Sequence, residues 1–305
     1  MATAPTDPTP LAVPTVGLLA SARTPTTGSD VETLADGTEV RWVQGFSWSP
    51  DDCTDTATLL AACGTAGPDT TPTSVDDRTF IPYLITASIR CSTFGNASDA
   101  QIEQMQRRAL AKLAAIEQTA IEGELWEGTW AQAEANANNY LTDATTWTEL
   151  QSGAAVGLVT ALAELEQVIA DTLPSGRGMI HATPRTVTLW ARNGLLTRRG
   201  DTIVTMLDTI VVPGRGYTGT GPGTEGPGDQ FTDEDFSWAY ATDLVTVRRG
   251  QAFLLTDDVT SRAAVDRTAN TILVSAARFA SATWDGCLHT GLLVDHRSEL
   301  TSIGS

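Results

Sequence analysis

The chain has 305 residues, 41% of them hydrophobic and 18% charged, which indicates a folded core and excludes a disordered chain, a coiled coil and a collagen-like fibre. Its 37 aspartate and glutamate residues outnumber 19 lysine and arginine residues, and the net charge of −18 argues against a protein that grips DNA through its phosphates. No apolar run approaches the roughly 18 residues of a membrane helix and no basic leader is present, so we expect a soluble, unexported protein.

The first third of the chain is predicted to be extended. Four prolines before position 15, among threonine and alanine residues, form a segment that cannot pack by itself and indicate an arm over residues 1–36. Residues 37–74, which include Trp42, lack helix or strand periodicity and indicate a long excursion away from the core. The segment Phe80–Cys91 is rich in strand formers and predicts the returning strand, with an edge or a kink at Pro82.

The clearest element is a long helix that begins at Ser98, a candidate N-cap, and is expected to end at Gly123. About 24 residues at 1.5 Å each give a length of roughly 35 Å. Its predicted polar face extends from Gln101 to Glu117. Its predicted buried stripe recurs at steps of three and four residues and comprises Ile102, Met105, Ala109, Leu110, Leu113, Ile116, Ala120 and Ile121.

Two shorter helices and a strand are predicted next. A helix over Ser152–Leu173 would bury a stripe of apolar residues. That stripe comprises Val156, Val159, Leu162, Leu165, Val168 and Ile169. A short buried strand at Gly178–Ala182 precedes the second helix. That helix has Thr183 as its N-cap, Pro184 at its first position and Asn193–Gly194 as its end.

The rest of the chain alternates strands with loops. We expect strands at Thr202–Met206, Ile210–Val212 and Leu292–Val294, a meander of strands at Trp238–Thr242, Leu244–Arg248 and Ala252–Leu255, and a helix at Arg262–Asn270. The glycine, proline and threonine content of Pro213–Gly228 forbids regular structure there. Together these elements predict a mixed α+β fold.

The sequence carries no motif of a catalytic or cofactor site. Its sole lysine, Lys112, lies inside the predicted long helix, which excludes a phosphate-binding loop. Prolines interrupt the glycines that begin at Gly214 and no helix follows them, which favours a mobile surface loop over a dinucleotide site. The segment Gly45–Ser49 lacks the second glycine of a nucleophile elbow. We therefore predict no catalytic residue and no cofactor.

Metal-ligating residue types do not cluster either. The four cysteines form no C-x-x-C pair and stand apart from the three histidines, so we predict no metal site. Ordinary buried thiols are favoured, with a bridge from Cys53 to Cys63 as the alternative. We expect His181, in a predicted strand, to be a hydrogen-bonded core residue. The paired acids Asp51–Asp52 and Asp257–Asp258 are more typical of solvated turns than of a cation site.

The order of the elements and four local stretches carry a resemblance to a known family. The stretches are Met179–Leu196, Gly214–Pro222, Trp238–Thr242 and Trp284–His289. With its arm, excursion, returning strand, long helix, α/β segment and strand-rich close, the chain resembles the major capsid proteins of tailed phages with the Hong Kong 97-type fold. The four stretches look like those of phages of actinobacterial hosts. The resemblance covers residues 16–294.

The resemblance implies a capsid fold divided into named parts. These would be an N-arm at 1–30, an E-loop at 31–78, a first P-domain part at 79–151 with a spine helix at 98–122, an A-domain at 152–236, and the second P-domain part at 237–305. The boundaries are expectations from the order of the predicted elements.

The resemblance also implies a role. The chain would not be an enzyme; it would assemble in the bacterial host cytoplasm into hexamers and pentamers of an icosahedral virion capsid. Its partners would be a separate scaffolding protein, a portal, a decoration protein and packaged double-stranded DNA held without sequence-specific contact, with no membrane. In the type member an E-loop lysine forms an isopeptide bond with a neighbour's asparagine. The E-loop expected here has no lysine, so we predict a shell without such crosslinks.

We expect projecting segments to carry the contacts between subunits, because an arm or loop that lies on neighbours multiplies moderate contacts. The candidate contact residues are Trp42, Phe46, Trp48, Asp51, Asp52, Trp126 and Trp130. For the last two, which flank a Gln/Asn/Ala-rich segment with Trp147, core packing is an equally weighted alternative.

Two other functions stay open at this point. An encapsulin-like shell would share the fold but enclose a cargo enzyme, although the Pro/Thr-rich start differs from the helical cargo-binding start of encapsulins. An acidic α/β enzyme that uses loop carboxylates would belong to a different class. It would form a small oligomer rather than capsomers or megadalton particles.

Overall fold

The computed structural model describes residues 17–21, 46–48, 78–91, 99–151, 154–173, 177–222, 235–255, 265–266 and 271–299. Within these residues the chain forms two large sheets, one long helix and several short helices, among them α1 (Leu18–Ser21) and α3 (Thr129–Ala133). The long helix and both sheets share one hydrophobic core, and a second core lies on the far face of the larger sheet.

A five-stranded sheet is organised around one long strand, β14 (Thr271–Thr283). Four strands pair with it, all antiparallel: β3 (Tyr83–Cys91), β11 (Thr246–Arg249), β12 (Phe253–Leu254) and β13 (Val265–Asp266). The pairing with β3 is the longest, and it extends from Ile272 opposite Cys91 to Ala280 opposite Tyr83. The predicted returning strand is therefore confirmed as a partner of the central strand.

A separate two-stranded ladder precedes this sheet. Strand β1 (Phe46–Trp48) pairs antiparallel with β2 (Arg78–Phe80), with Phe46 opposite Phe80. Ile81 and Pro82 then separate β2 from β3. The strands are therefore interrupted at Pro82, where the sequence predicts an edge or a kink, because the proline ring lacks the N–H that would continue a ladder.

The long helix, α2 (Asp99–Glu127), packs against β3 and β14. Its 29 residues span about 43 Å at 1.5 Å per residue, so the predicted helix is confirmed. The predicted end at Gly123 is wrong. Leu125 and Trp126 on the next turn are buried, and this burial outweighs the cost of about 1 kcal/mol for a glycine within a helix. The predicted N-cap, Ser98, lies outside the described residues.

An eight-stranded sheet takes seven of its strands from the second half of the chain. Its spatial order is β4 (Thr148–Glu149), β15 (His289–Asp295), β10 (Phe236–Thr242), β6 (Met179–Ala182), β9 (Ile210–Pro213), β8 (Thr202–Thr205) and β7 (Leu196–Arg199), and β5 (Val156–Gly157) also pairs with β15. Strand β6 runs parallel to β9, and β4 and β5 run parallel to β15. The sheet thus combines residues 152–236 with strands from outside that range, and the predicted domain boundaries stay predictions.

Both faces are buried over the centre of the eight-stranded sheet, whereas three of the four residues of the edge strand β7 are exposed. One face packs against α4 (Leu158–Thr172) and α5 (Pro184–Arg192), where Leu165 and Trp190 are fully buried. The opposite face, which includes Tyr240, belongs to the core that contains α2 and the five-stranded sheet. Strand β6 is therefore buried at every residue instead of alternating between buried and exposed positions.

The segment around α5 folds as predicted. The side chain of Thr183 accepts a hydrogen bond from the Thr186 backbone N–H at 3.3 Å, and Pro184 occupies the first turn. The helix ends at Asn193, and Gly194 follows with a φ of 73°. The strands predicted at 202–206, 210–212 and 292–294 are also confirmed, with small differences at their ends.

Three other predictions about secondary structure are wrong. Helix α4 begins at Leu158 rather than at Ser152, because Val156–Gly157 pairs as β5 with the distant strand β15. The predicted meander is divided: β10 lies in the eight-stranded sheet, whereas β11 and β12 pair with β14. Within the predicted helix 262–270, Val265–Asp266 forms β13, because it pairs with the start of β14.

Candidate functional site

Trp126 packs inside its own chain. Its side chain is 0% exposed, and its ring centroid lies 4.7 Å from that of Tyr217 and 5.0 Å from that of Tyr240. Its Nε1 donates to the Thr220 carbonyl at 3.2 Å. The core-packing alternative therefore holds, and the predicted contact with a neighbouring subunit is wrong for Trp126 because none of its surface is accessible.

The structure leaves the other predicted contact residues as predictions. Trp130 is half-buried, and its ring centroid lies 6.2 Å from that of Tyr83. Phe46 and Trp48 are on β1, but their side chains are outside the described residues. Trp42, Asp51 and Asp52 also lie outside the described residues.

The described part of the glycine-rich loop, residues 214–222, packs against both α2 and β10. Tyr217 in this loop is 5% exposed. A Cβ on Gly216 would lie 2.3 Å from the Thr119 carbonyl oxygen, so only glycine permits the close approach of the loop to the helix. The prediction of a mobile surface loop is wrong over these residues, because aromatic packing and glycine contacts fix the chain.

A buried carboxylate, Glu122, joins three segments that are distant in sequence. It accepts hydrogen bonds from Leu18 N at 2.9 Å, from Gln118 Nε2 at 2.8 Å and from Gly216 N at 3.1 Å. Burial raises the pKa of Glu122, and these hydrogen bonds oppose that shift. The contacts anchor α1 (Leu18–Ser21) to α2, and Leu18 is itself 0% exposed.

A second buried carboxylate, Glu117, ties α2 to the five-stranded sheet. Its Oε1 lies 2.7 Å from Arg249 Nη1 on β11, and its Oε2 lies 2.5 Å from Arg278 Nη1 on β14. Glu117 is 2% exposed, so its predicted place on the polar face of the helix is wrong. The arginines that make this burial possible come 132 and 161 residues later in the chain.

The three histidines are buried. His181 is hydrogen-bonded through Nδ1 to the hydroxyl of Tyr217 at 2.8 Å and through Nε2 to that of Thr242 at 2.9 Å. Burial, with a smaller contribution from His289, lowers the pKa of His181 to about 3, so the ring is neutral. The prediction of a hydrogen-bonded core histidine is confirmed for His181. His289 and His296 are 9% and 6% exposed.

Asp243 is a buried acid at the end of β10. It is 7% exposed, and its Oδ2 accepts a hydrogen bond from the backbone N–H of Cys287 at 3.1 Å. Within the described chain, Oδ1 has no hydrogen-bond partner. Burial, with a smaller contribution from the nearby Asp285, raises the pKa of Asp243 from 3.8 to about 7, against the opposing effect of the hydrogen bond from the Cys287 backbone N–H. This carboxyl is therefore only partly ionised at neutral pH.

Cys287 is disulfide-bonded, so the prediction of ordinary buried thiols is wrong for this residue. Spacing along the sequence does not show which thiols the fold brings together. The predicted alternative, a bridge from Cys53 to Cys63, lies outside the described residues.

The described side chains include no group of three or more His, Cys, Asp or Glu residues that could hold a metal ion. No helix in the described parts is both long enough and apolar enough to cross a bilayer.

Among the residues that the structure describes, one apolar surface feature stands out, the β8–β9 tip, which we define as Met206 and Leu207. These adjacent residues are 80% and 74% exposed. The other exposed large apolar residues in the described chain are single, between 36% and 57% exposed: Ile81, Leu84, Ile116, Val159 and Leu255. Ile116 and Val159 were expected in buried stripes, and that expectation is wrong. The sequence interpretation placed Met206 at the end of a strand and missed the tip.

Comparisons with known proteins concern the fold. No family model matches the chain, and no curated protein matches it. The capsid of an empty GTA particle aligns with 92% of this chain and 97% of its own, with a TM-score of 0.50 and 11% identity. The capsid of Ralstonia phage GP4 aligns with 93% of this chain and 90% of its own, with a TM-score of 0.48 and 10% identity.

An encapsulin complex from Synechococcus elongatus aligns with 72% of this chain and 76% of its own, with a TM-score of 0.40 and 11% identity. The alignment with the GTA capsid extends over nearly the whole of both chains. The chain therefore has the capsid fold of the Hong Kong 97 type that the sequence resemblance implies.

Proposed function

We propose that this chain is the major capsid protein of a tailed phage and works as a shell subunit rather than an enzyme. In this proposal its copies form hexamers and pentamers of an icosahedral head that encloses double-stranded DNA. The observation that carries the proposal is the capsid fold itself. Because one fold can serve several functions, the supporting evidence must come from the residues of this chain.

The first support is the way α2 is fixed. Glu117 joins it to the five-stranded sheet through two arginines, and Glu122 joins it to α1 and to the loop 214–222. A subunit that meets several neighbours at once must hold its surfaces in a constant arrangement. A long helix tied to elements on several sides meets this requirement.

The second support is the charge of the chain. A net charge of −18 repels the phosphates of packaged DNA, so a shell of such subunits would hold DNA without adhering to it or reading its sequence. A separate scaffolding protein, a portal and a decoration protein complete the proposed set of partners. The virion capsid is the proposed location, with assembly in the cytoplasm of an actinobacterial host.

We also propose that the N-arm at 1–30 and the E-loop at 31–78 carry much of the contact between subunits. The β1–β2 ladder supports an outward loop, because residues 46–48 and 78–80 are antiparallel partners and the chain between them must leave and return at the same place. The proposed contact residues in this part are Trp42, Phe46, Trp48, Asp51 and Asp52. Trp130, which is half-buried, is proposed as a further contact at its exposed edge.

The experiment that tests the proposal is expression of the full chain, followed by sedimentation velocity and electron microscopy. We expect hexamers and pentamers, closed shells, or both. A chain that stays monomeric or forms only a small, fixed oligomer at every concentration would overturn the proposal. Particles recovered from the natural source should contain DNA, whereas shells that enclose a protein cargo without nucleic acid would identify an encapsulin-like compartment instead.

A further inference from the structure

The β8–β9 tip is a turn whose backbone is fixed by four hydrogen bonds within residues 205–209. Thr205 N donates to the Thr209 carbonyl at 3.0 Å, and Asp208 N donates to the Thr205 carbonyl at 3.3 Å. The Thr205 hydroxyl accepts from Leu207 N and from Thr209 N, each at 3.2 Å. These bonds leave the side chains of Met206 and Leu207 as the part of the turn that faces solvent.

Side chains from outside the turn hold it as well. Arg199 on β7 contacts Asp208 with two nitrogen atoms, at 2.8 Å and 2.7 Å from the two carboxylate oxygens. Asp208 has a φ of 69°, a conformation that an aspartate tolerates better than most residues. Thr209 donates its hydroxyl hydrogen to Glu166 on α4 at 2.6 Å. The conformation of the β8–β9 tip is therefore set by contacts within its own chain.

Such an arrangement suits a contact surface. Exposure of two neighbouring apolar side chains to water is unfavourable in free energy. Polar residues, which are common in turns, would avoid this cost at positions 206 and 207. A rigid turn also loses little conformational entropy when it is covered, which is the advantage of a preorganised contact. The tip therefore combines an apolar surface with a low cost of ordering.

The charge around the tip is compatible with another copy of this chain as the partner. Each copy carries a net charge of −18, so contact between two copies is opposed least where the local surface is close to neutral. At the tip, Arg199 pairs with Asp208, and the second nearby acid, Glu166, is partly buried and accepts a hydrogen bond from Thr209. Met206 and Leu207 carry no charge, and the Asp208 carboxylate is already paired with Arg199, so the exposed part of the turn has no charge of its own that would select a basic partner.

The small area of the tip also favours a contact between copies of this chain. Burial of both side chains would remove roughly 200 Å² of apolar surface from water, judged from the usual gain per side chain. A stable pair of proteins buries about 1,200–2,000 Å² in total. The tip alone is too small to hold a separate protein, but a contact of this size is effective where it is repeated around a closed assembly.

We infer that Met206 and Leu207 contact a neighbouring copy of this chain in the assembled shell. This inference rests on the proposed function, because it assumes that copies assemble. It assigns part of the assembly contact to the edge of the eight-stranded sheet, in addition to the arm and loop at the start of the chain.

The test compares the wild-type chain with the double variant Met206→Ser/Leu207→Ser. Val159→Ser is the matched control, since Val159 is an exposed apolar residue on α4 with 57% of its surface accessible. Sedimentation velocity measures the concentration above which each chain enters capsomers or shells, and circular dichroism with thermal unfolding checks the fold. We expect the double variant to fold normally and to require a concentration at least about tenfold higher, and the control to assemble like the wild type.

Three outcomes oppose the inference in different ways. If the wild type and the double variant assemble at the same concentration, the tip inference is wrong and the proposed function stands. If Val159→Ser impairs assembly as much as the double variant does, the effect is not specific to the tip and the inference is wrong. If the wild type never assembles, the proposed function fails and the tip inference fails with it.

Discussion

Replacement of Asp243 by asparagine should stabilise the subunit at alkaline pH and leave it unchanged at acid pH. Burial raises the pKa of Asp243 from 3.8 to about 7, so the folded chain keeps a proton that the unfolded chain loses at about pH 4. Between these two values the folded state binds more protons. The free energy of unfolding therefore falls as pH rises from about 4 to about 7, and the loss is complete above pH 7.

The magnitude follows from the two pKa values. The interval from 3.8 to about 7 corresponds to about 4 kcal/mol at 1.36 kcal/mol for each pH unit. An asparagine never ionises, keeps an oxygen to accept from the Cys287 N–H, and resembles the protonated carboxyl in shape. After an allowance for relaxation around the charge, we expect Asp243→Asn to raise the free energy of unfolding by about 2–4 kcal/mol at pH 8 and hardly at all at pH 4.

Urea unfolding of the unassembled subunit at pH 4, 6 and 8, followed by tryptophan fluorescence, measures this difference. Asp201→Asn is the control, because the Asp201 side chain is 66% exposed and lies 3.6 Å from Arg198, so its replacement should change the free energy of unfolding by less than about 0.5 kcal/mol at any pH. A gain for Asp243→Asn that is equal at all three pH values would refute the reasoning, and so would no gain at pH 8.

Three further predictions concern packing, charge and covalent structure. Trp126→Ala should lower the free energy of unfolding by about 3–5 kcal/mol and the half-buried Trp130→Ala by less; equal losses would contradict the difference in burial. Glu117→Gln should cost about 2–3 kcal/mol, and in a double-mutant cycle it should cost less once Arg278 is replaced by methionine; strictly additive losses would show that the pair does not interact. Particles boiled in denaturant and reductant should release a 32.2 kDa monomer, because the sole lysine, Lys112, lies in α2 and donates to its own chain; a ladder of covalent multimers would contradict this.

The sequence predicted the elements whose signals are local. The capping residue Thr183, followed by Pro184, fixes the start of α5 within one turn, and the three- and four-residue spacing of apolar residues identified α2. Elements that depend on distant partners were predicted poorly. The sequence predicts a helix at Val156, but in the structure this residue pairs with the strand β15. Val265 is likewise predicted in a helix and instead pairs with β14.

The same distinction applies to the functional surfaces. The helical spacing places Glu117 on the solvent-exposed face of the helix. Its two arginine partners are far along the chain, so the spacing alone does not show that it is buried. Trp126 was open to two interpretations, and only the fold showed its ring enclosed by Tyr217 and Tyr240. No pattern in the sequence could reveal the exposure of Met206 and Leu207, since an apolar pair next to a strand is ordinarily buried.

The attachment of Leu18 to Glu122 sets the timing of folding during synthesis. The site for Leu18 needs α2, and Gly216, 94 residues after Glu122, supplies another hydrogen bond to the same carboxylate. A ribosome that works at about 5–20 residues per second needs on the order of ten seconds or more to travel from Leu18 to Gly216. For that interval α1 has no finished site to occupy, so this segment is secured only after much later parts of the chain have been made.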